Sequence, residues 1–446
     1  MAYSGKNINN WRDYQDLLSK SRVKEKPNNR IGLYVLLLLT VLIIWHFDDS
    51  ENEVDNVIKE NKRNEEILSI KNDNQLDIIK IKKTEIHNIL NGQNFLNITE
   101  KNLAVTFQDK KYVLETNIDV NLQNYALKKL DTATAKYIAI VGMDPITGKI
   151  FLMSGFSKTD EIENPCIANI FPAASLFKII TAAAAIEKCR LDPDSELFYN
   201  GRKYTLYKSQ LNEKKNKYTY SVSFMNAFAK SINPVFGKIG SLKVGKDNLE
   251  LYAKKFGFNS PIRFDLPVPN STVDISDSTF ALAEIASGFN KKTVISPLHG
   301  VLLSSSVANS GIMVEPAFIN KITNENNDVI YEFHKTNINK PISNDSAQKL
   351  KKLMIATINS GTCRKIFRGY RKDKILSQLV IGGKTGSIND SKYDSIRYDW
   401  FVGFAEKKDG TNTIALSVLV AHEKYIGVKA GQYARMIIKE FFSNQN

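Results

Sequence analysis

Cysteine is scarce in this chain: three in 446 residues, at Cys166, Cys189 and Cys363. So few, and an odd number, excludes a disulfide framework and a cysteine metal site, though one pair could oxidise outside the cytoplasm. Histidine is scarce too. His46, His87, His299, His334 and His422 form no H-x-x-x-H or H-E-x-x-H pattern, which argues against a zinc hydrolase. No metal and no cofactor are expected. The net charge is +14, yet no helix-turn-helix, zinc-knuckle or RNA-recognition signature accompanies it. The cations are spread along a Lys- and Asn-rich chain. That distribution points to compositional bias and an anionic envelope, not to nucleic acid. Internal repeats are absent. A hydrophobic content of 43% with 10% aromatics is nevertheless that of a folded protein.

Long apolar runs are also missing, with one exception. Ile31 to Phe47 (IGLYVLLLLTVLIIWHF) contains no Asp, Glu, Lys or Arg and lies near the lower length limit for a spanning helix. Tyr34 and Trp45 sit toward its ends, as interfacial aromatics do. Lys20, Arg22, Lys24, Lys26 and Arg30 precede it, and Asp48, Asp49, Glu51, Glu53 and Asp55 follow. This asymmetry predicts a cytoplasmic N-terminus and an extracytoplasmic remainder. A cleaved signal peptide is the alternative, but Trp-His-Phe-Asp-Asp is a poor cleavage site. The expected organisation is a cytoplasmic tail over 1–30, a membrane helix over 31–47, a charged, partly helical stalk or linker over 48–111, and a catalytic domain over 112–446.

Within that domain, Tyr137–Val141 and Lys149–Met153 flank Asp144-Pro145-Ile146-Thr147-Gly148 and read as a hairpin. A helix is expected from Ser175 through Glu187, with a strong helix-forming run at Ala182–Ala185. A long helical middle follows. Val380–Ile388, Trp400–Glu406 and Asn412–Ala421 read as strands, and Gly431–Phe442 as a closing helix. The pattern predicts an α+β fold, one antiparallel sheet with helices on its faces.

Three short strings carry the chemistry. Ser175-Leu176-Phe177-Lys178 places a hydroxyl at a helix start, where free N–H groups suit an oxyanion, with an amine one turn on. A lysine that is desolvated near a second cation, here Lys384, becomes a general base. Ser231-Ile232-Asn233 precedes Pro234, which disfavours a continuing helix and predicts a turn. Lys384-Thr385-Gly386-Ser387 lies in a glycine-rich strand whose bare edge could take a ligand backbone, with Lys384, Thr385 and Ser387 for a carboxylate. Each string also fits plain capping, turn or edge-strand chemistry. Ser-x-x-Lys recurs at Ser21 and Ser346, and Ser-x-Asn at Ser50 and Ser387, but Lys-Thr-Gly occurs once. The order and the separations of 56 and 153 residues are the signal.

In that order the strings resemble those of the penicillin-recognising acyl-serine transferases, the penicillin-binding proteins and serine β-lactamases. Asp144-Pro145-x-Thr147-Gly148, Ser360-Gly361-Thr362, Asp399-Trp400-Phe401-Val402-Gly403-Phe404 and Leu114–Asp119 with Leu122-Gln123 resemble further family elements, although Cys363 stands where a small residue is usual. The resemblance covers about 112–446. It implies a sheet flanked by helices with a helical subdomain, and the activity of a membrane-anchored peptidoglycan D,D-transpeptidase or D,D-carboxypeptidase. Ser175 would be acylated by the D-Ala-D-Ala end of a stem peptide. Lys178 would take its proton, Ser231 would relay a proton to the leaving amine, and Asn233 would hold the substrate amide. Lys384 and Thr385 would secure the terminal carboxylate, Gly386 belongs to the same strand element, and the N–H groups of Ser175 and Ser387 would form the oxyanion hole. β-Lactams are the implied inhibitors and a membrane glycan polymerase the implied partner. Two other readings stay open. One is a serine β-lactamase; the class D enzymes share Phe-Pro-Ala-Ala-Ser-x-x-Lys but favour an apolar residue at the place of Asn233. The other is a β-lactam sensor or silent scaffold.

Overall fold

The computed structural model describes residues 81–444, apart from 82, 91, 92, 94 and 391–395. The expected tail, membrane helix and most of the stalk lie outside the described residues. No helix among the described residues is long and apolar enough to cross a membrane.

Five strands form the central sheet: Ala135–Met143 (β1), Ile150–Ser157 (β2), Leu379–Asn389 (β3), Arg397–Lys407 (β4) and Thr413–His422 (β5). Their order is β3-β4-β5-β1-β2, and every neighbouring pair is antiparallel. The expected hairpin and the three C-terminal strands therefore join through β5 and β1, where Val418 lies opposite Ile140. Side chains alternate between two cores, as the period of a strand requires. Tyr137, Ala139 and Val141 face one, and Ile138 and Ile140 face the other. Burial of both faces explains why these strands read as unbroken apolar runs.

Seven helices frame the site: Lys178–Cys189 (α1), Phe224–Ala229 (α2), Asn233–Lys238 (α3), Thr279–Ser287 (α4), Pro297–Ala308 (α5), Asn344–Asn359 (α6) and Ala430–Ser443 (α7). On one face α5 lies across β5, β4 and β1, while α6 packs on β3. Helix α5 approaches so closely at Gly300 that a Cβ there would sit 2.5 Å from Ser417 Oγ. It is buried nearly all round, and Ser304, Ser305 and Ser306 turn their hydroxyls back onto carbonyls of their own helix. On the other face lie α7 and the helix Val120–Lys129. Trp400 of β4 is fully buried, and its indole Nε1–H donates to Pro172 O at 2.9 Å, just ahead of Ser175. Truncating such a ring costs about 3–5 kcal/mol, so β4 firmly holds the approach to the site.

The folded body begins earlier than the expected boundary at 112. Asn102–Phe107 and Lys110–Thr116 form a hairpin inside a second, four-stranded antiparallel sheet with Ile319–Asn324 and Val329–Glu332. The helix Lys83–Ile89 docks through Lys83, whose Nζ reaches Glu315 and the fully buried Asp265, and through His87 Nε2 at 2.8 Å from Phe264 O. All three cysteines are free.

Candidate active site

Ser175 lies on a 3₁₀ turn, Ala174–Phe177, which leads into α1. The expected helix over 175–187 thus begins as a tighter coil. In that geometry residues i and i+3 eclipse, which sets Lys178 directly above Ser175: Lys178 Nζ is 2.8 Å from Ser175 Oγ. The turn is forced. Ala174 holds φ +48°, a left-handed conformation unusual for alanine. Its carbonyl lies against Gly288, where a Cβ would come within 1.8 Å of Ala174 O; Gly288 itself has φ +63°. Only glycine fits there.

Lys178 is 0% exposed. Besides Ser175, its Nζ meets Asn233 Oδ1 at 2.8 Å and Ser287 O at 2.5 Å. Both are acceptors only, so they use two N–H bonds. A neutral amine then keeps its lone pair for the third direction, toward the Ser175 hydroxyl. Burial pushes the Lys178 pKa well below the ordinary 10.5, and the charge of Lys384 lowers it further. The Ser287 carbonyl closes α4, one residue before Gly288 takes the left-handed cap.

Ser231 follows α2 in a second left-handed turn, φ +53°, pinned by Ser231 N–H donating to Phe228 O and Ile232 N–H to Ala227 O. Asn233 then starts α3, with Pro234 in its first turn. Asn233 N–H donates to Lys203 O and its Nδ2 to Tyr204 O, at 2.7 and 3.1 Å. Lys384, on the edge strand β3, donates to Ser231 Oγ at 3.0 Å and to Thr385 O at 2.7 Å. It too is 0% exposed, and burial pulls its pKa down to about 7. The two amines lie over the rings of Phe236 and Phe228 respectively.

A cleft of about 730 Å³ opens over these groups. Ser175, Ser231, Asn233, Thr385 and Ser387 line it; Lys178 and Lys384 stand behind the wall. Gly386 faces inward, where an added Cβ would lie 3.3 Å from Ala174 Cβ, so its small size lets the Ser175 turn rest on β3. All eight singled-out residues thus meet around one cleft. The structure adds others. Thr362 Oγ1 and Thr385 Oγ1 share a 2.6 Å hydrogen bond, and Thr362 N–H donates to Ala229 O. Ser387 Oγ donates to Asp399 Oδ1 at 3.1 Å; Asp399 Oδ2 accepts from Ala430 N–H at the start of α7 and lies 4.0 Å from His422 Nε2. Asp399 and Thr362 stood in quoted strings without a role. Ser287 and Gly288 carried only the signal of a glycine ending an apolar helix, which does not say which amine the freed carbonyl meets.

Residues 138–442 match the family model described as the penicillin binding protein transpeptidase domain. "Stage V sporulation protein D" of Bacillus subtilis is 24% identical over 330 residues, 68% of this chain and 49% of that one. "Peptidoglycan D,D-transpeptidase PbpA" of Mycobacterium tuberculosis is 25% identical over 323 residues, 66% of this chain and 61% of that one. This chain therefore spans about half to three fifths of the relatives' length. The crystal structure of PBPA from M. tuberculosis shares the fold at a TM-score of 0.59 and 22% identity, covering 74% of this chain and 80% of that one. Its imipenem acyl-enzyme complex gives 0.59 and 23%, covering 73% and 78%. With two thirds of its length inside the family model, and with the serines, lysines and asparagine of the three strings gathered in one cleft, the chain belongs to the penicillin-binding protein transpeptidase family.

Proposed function

We propose that this protein is a membrane-anchored peptidoglycan D,D-transpeptidase that works through an acyl-Ser175 intermediate and is acylated by β-lactams. The observation that carries the reading is the setting of Lys178: a fully buried amine with two pure acceptors and one serine hydroxyl. Lys178 takes the Ser175 proton as Ser175 Oγ attacks the carbonyl of the penultimate D-Ala. The N–H groups of Ser175 and Ser387 receive the oxyanion. Ser231, bonded to Lys384, relays a proton to the departing amine, and the terminal D-Ala leaves. Asn233 keeps one N–H and one lone pair for the substrate amide. Thr385 meets the terminal carboxylate in the cleft, and Lys384 supplies positive charge from behind. The amine of a second stem peptide then attacks the ester, releases Ser175 and makes the crosslink. A β-lactam follows the first half: its ring amide opens, the nitrogen takes the proton, and the acyl group stays on Ser175.

The anchor rests on the apolar run at 31–47 and the charge change across it, which puts the catalytic domain outside the cytoplasmic membrane. A glycan polymerase in the same membrane would supply strands to crosslink. The test is labelling of the full-length protein with a fluorescent penicillin. A stable covalent adduct is expected in the wild type and none in Ser175→Ala with an unchanged melting curve; label that persists in the variant overturns the assignment. Protease added to spheroplasts should release the domain, and a fully protected domain would reverse the topology.

A further inference from the structure

We infer that a second groove, on the segment between Tyr199 and Tyr220, binds the N-acetylated amino-sugar backbone that carries the stem peptide, so that glycan and peptide are gripped side by side. The inference rests on the transpeptidase reading and names a further part of its substrate. This segment joins the short paired strands Glu196–Tyr199 and Tyr220–Ser223. It encloses a groove of about 650 Å³ whose walls include Asn200, Arg202, Tyr207, Asn212, Lys214 and Asn216. Among the described residues no carboxylate lines it. Asn212 and Asn216 accept from Lys214 N–H and Tyr218 N–H through Oδ1, and their amide N–H donors suit sugar hydroxyls and acetamido carbonyls. Tyr207 is exposed and offers an apolar ring face with a polar tip. Arg202 and Lys214 are exposed and carry N–H donors for sugar hydroxyls and acetamido carbonyls.

The groove is built, not a frayed loop. Leu206 and Leu211 are buried against Ala283. Gln210, 5% exposed, donates to Asn200 O and Arg202 O and accepts from Tyr207 N–H. Gly201, at φ +77°, leaves room for it, since a Cβ there would come within 2.8 Å of Gln210 Nε2. Thr219 Oγ1 donates to Asn200 Oδ1 and accepts from Asn216 N–H. Such bracing lowers the ordering cost of binding.

The groove also adjoins the catalytic cleft along the chain. Arg202 and Thr205 line the groove, whereas Tyr204, between them in sequence, lines the cleft. Lys203 O and Tyr204 O are the acceptors that hold Asn233. An extended five-residue stem spans at most about 17 Å. The sugar bearing it must therefore lie close to the cleft, and Arg202 and Thr205 of the groove stand two residues and one residue from Tyr204 of the cleft.

The test uses full-length Ser175→Ala protein, which cannot turn over, and isothermal titration with two probes: a disaccharide pentapeptide (N-acetylglucosaminyl-N-acetylmuramyl) and the same pentapeptide without sugar. The sugar should tighten binding at least about tenfold. Tyr207→Ala and Arg202→Gln, both at exposed side chains, should erase that gain, leave affinity for the bare peptide unchanged, and leave penicillin labelling intact in a Ser175 background. A gain that survives both substitutions overturns the inference. So does poly(glycerol phosphate) binding more tightly than the disaccharide with a steep salt dependence, which would mark an anionic-polymer site. Sugar binding in a protein that penicillin fails to label would sink the transpeptidase reading and leave the groove standing.

Discussion

Replacing Lys178 with arginine separates its charge from its basicity. Arginine keeps a cation in the same place but has five N–H donors, no acceptor and no accessible neutral form. In the wild type the Nζ sits 2.8 Å from Ser175 Oγ, with its other two directions taken by Asn233 Oδ1 and the Ser287 carbonyl. No guanidinium nitrogen can accept the Ser175 proton there. Losing a general base costs about 100- to 10,000-fold, equivalent to about 2.7–5.4 kcal/mol of barrier. The assay is the second-order acylation constant with a fluorescent penicillin, beside a melting curve, because a fixed charge buried next to Lys384 also strains the fold. Wild-type protein supplies an independent arm through pH. Acylation should rise as Lys178 loses its proton, on a limb well below the usual lysine range because burial, and then Lys384, lower that pKa. It should fall again near pH 7, where Lys384 gives up the charge that faces the substrate carboxylate. Arginine at 178 that acylates within tenfold of wild type, or a wild-type acid limb near 10.5, would refute the argument.

Three further outcomes follow from the same geometry. Both buried lysines have folded-state pKa values below 10.5, so the unfolded chain binds more protons and stability rises with pH above about 7; each contributes up to about 1.4 kcal/mol per pH unit. Urea melts between pH 7 and 8, below the range where unfolding would release the thiols of Cys166 and Cys363, should show that slope, and Lys384→Met should roughly halve it; an unchanged slope would place the lysines elsewhere. Gly288→Ala puts a methyl against Ala174 O at a positive φ and should cost at least about 2 kcal/mol while slowing labelling; wild-type melting and labelling would show that the Ser175 turn does not depend on it. Nitrocefin should give one stoichiometric burst and then a slow phase of minutes to hours, because Asp399, the one carboxylate among the described residues lining the cleft, is already held by Ser387 and Ala430 and is not free to activate water; sustained rapid turnover lost in Ser175→Ala would mean a β-lactamase.

The sheet was legible because its strands are buried on both faces and so spell continuous apolar runs, as in Trp400–Ala405 and Ile414–Ala421. The strand Asn102–Phe107 was not, because it is short and half exposed, and the sheet it joins draws two of its strands from about 200 residues away. Ser175, Lys178, Ser231, Asn233 and Lys384 were legible as spaced strings. What held them was not, because backbone groups do it: the Ser287 carbonyl for Lys178, the carbonyls of Lys203 and Tyr204 for Asn233, and the Ala229 carbonyl for Thr362. A carbonyl has no residue type to read. The 3₁₀ turn at Ser175 was hidden for a related reason, since Ala174-Ser175-Leu176-Phe177 suits an α-helix, and only packing against Gly288 and β3 tightens it.

These features share one energetic logic. Ala174 and Ser231 hold left-handed backbone, at about 1–3 kcal/mol each, and two amines are buried at the expense of their protons. Together these terms approach the whole net stability of an ordinary domain, about 5–15 kcal/mol. A small fold could not carry them. Here they sit between two apolar cores and are over-determined by neighbours: Ala174 by Gly288, Ser231 by Phe228 O and Lys384, and Lys178 by α3 and α4. The location follows as well. An inner strand has both edges paired, whereas β3 is one of the two outer strands of the sheet. It combines buried support on its faces with an edge where a substrate backbone can lie, and this is where Lys384, Thr385 and Ser387 meet the turn that holds Ser175.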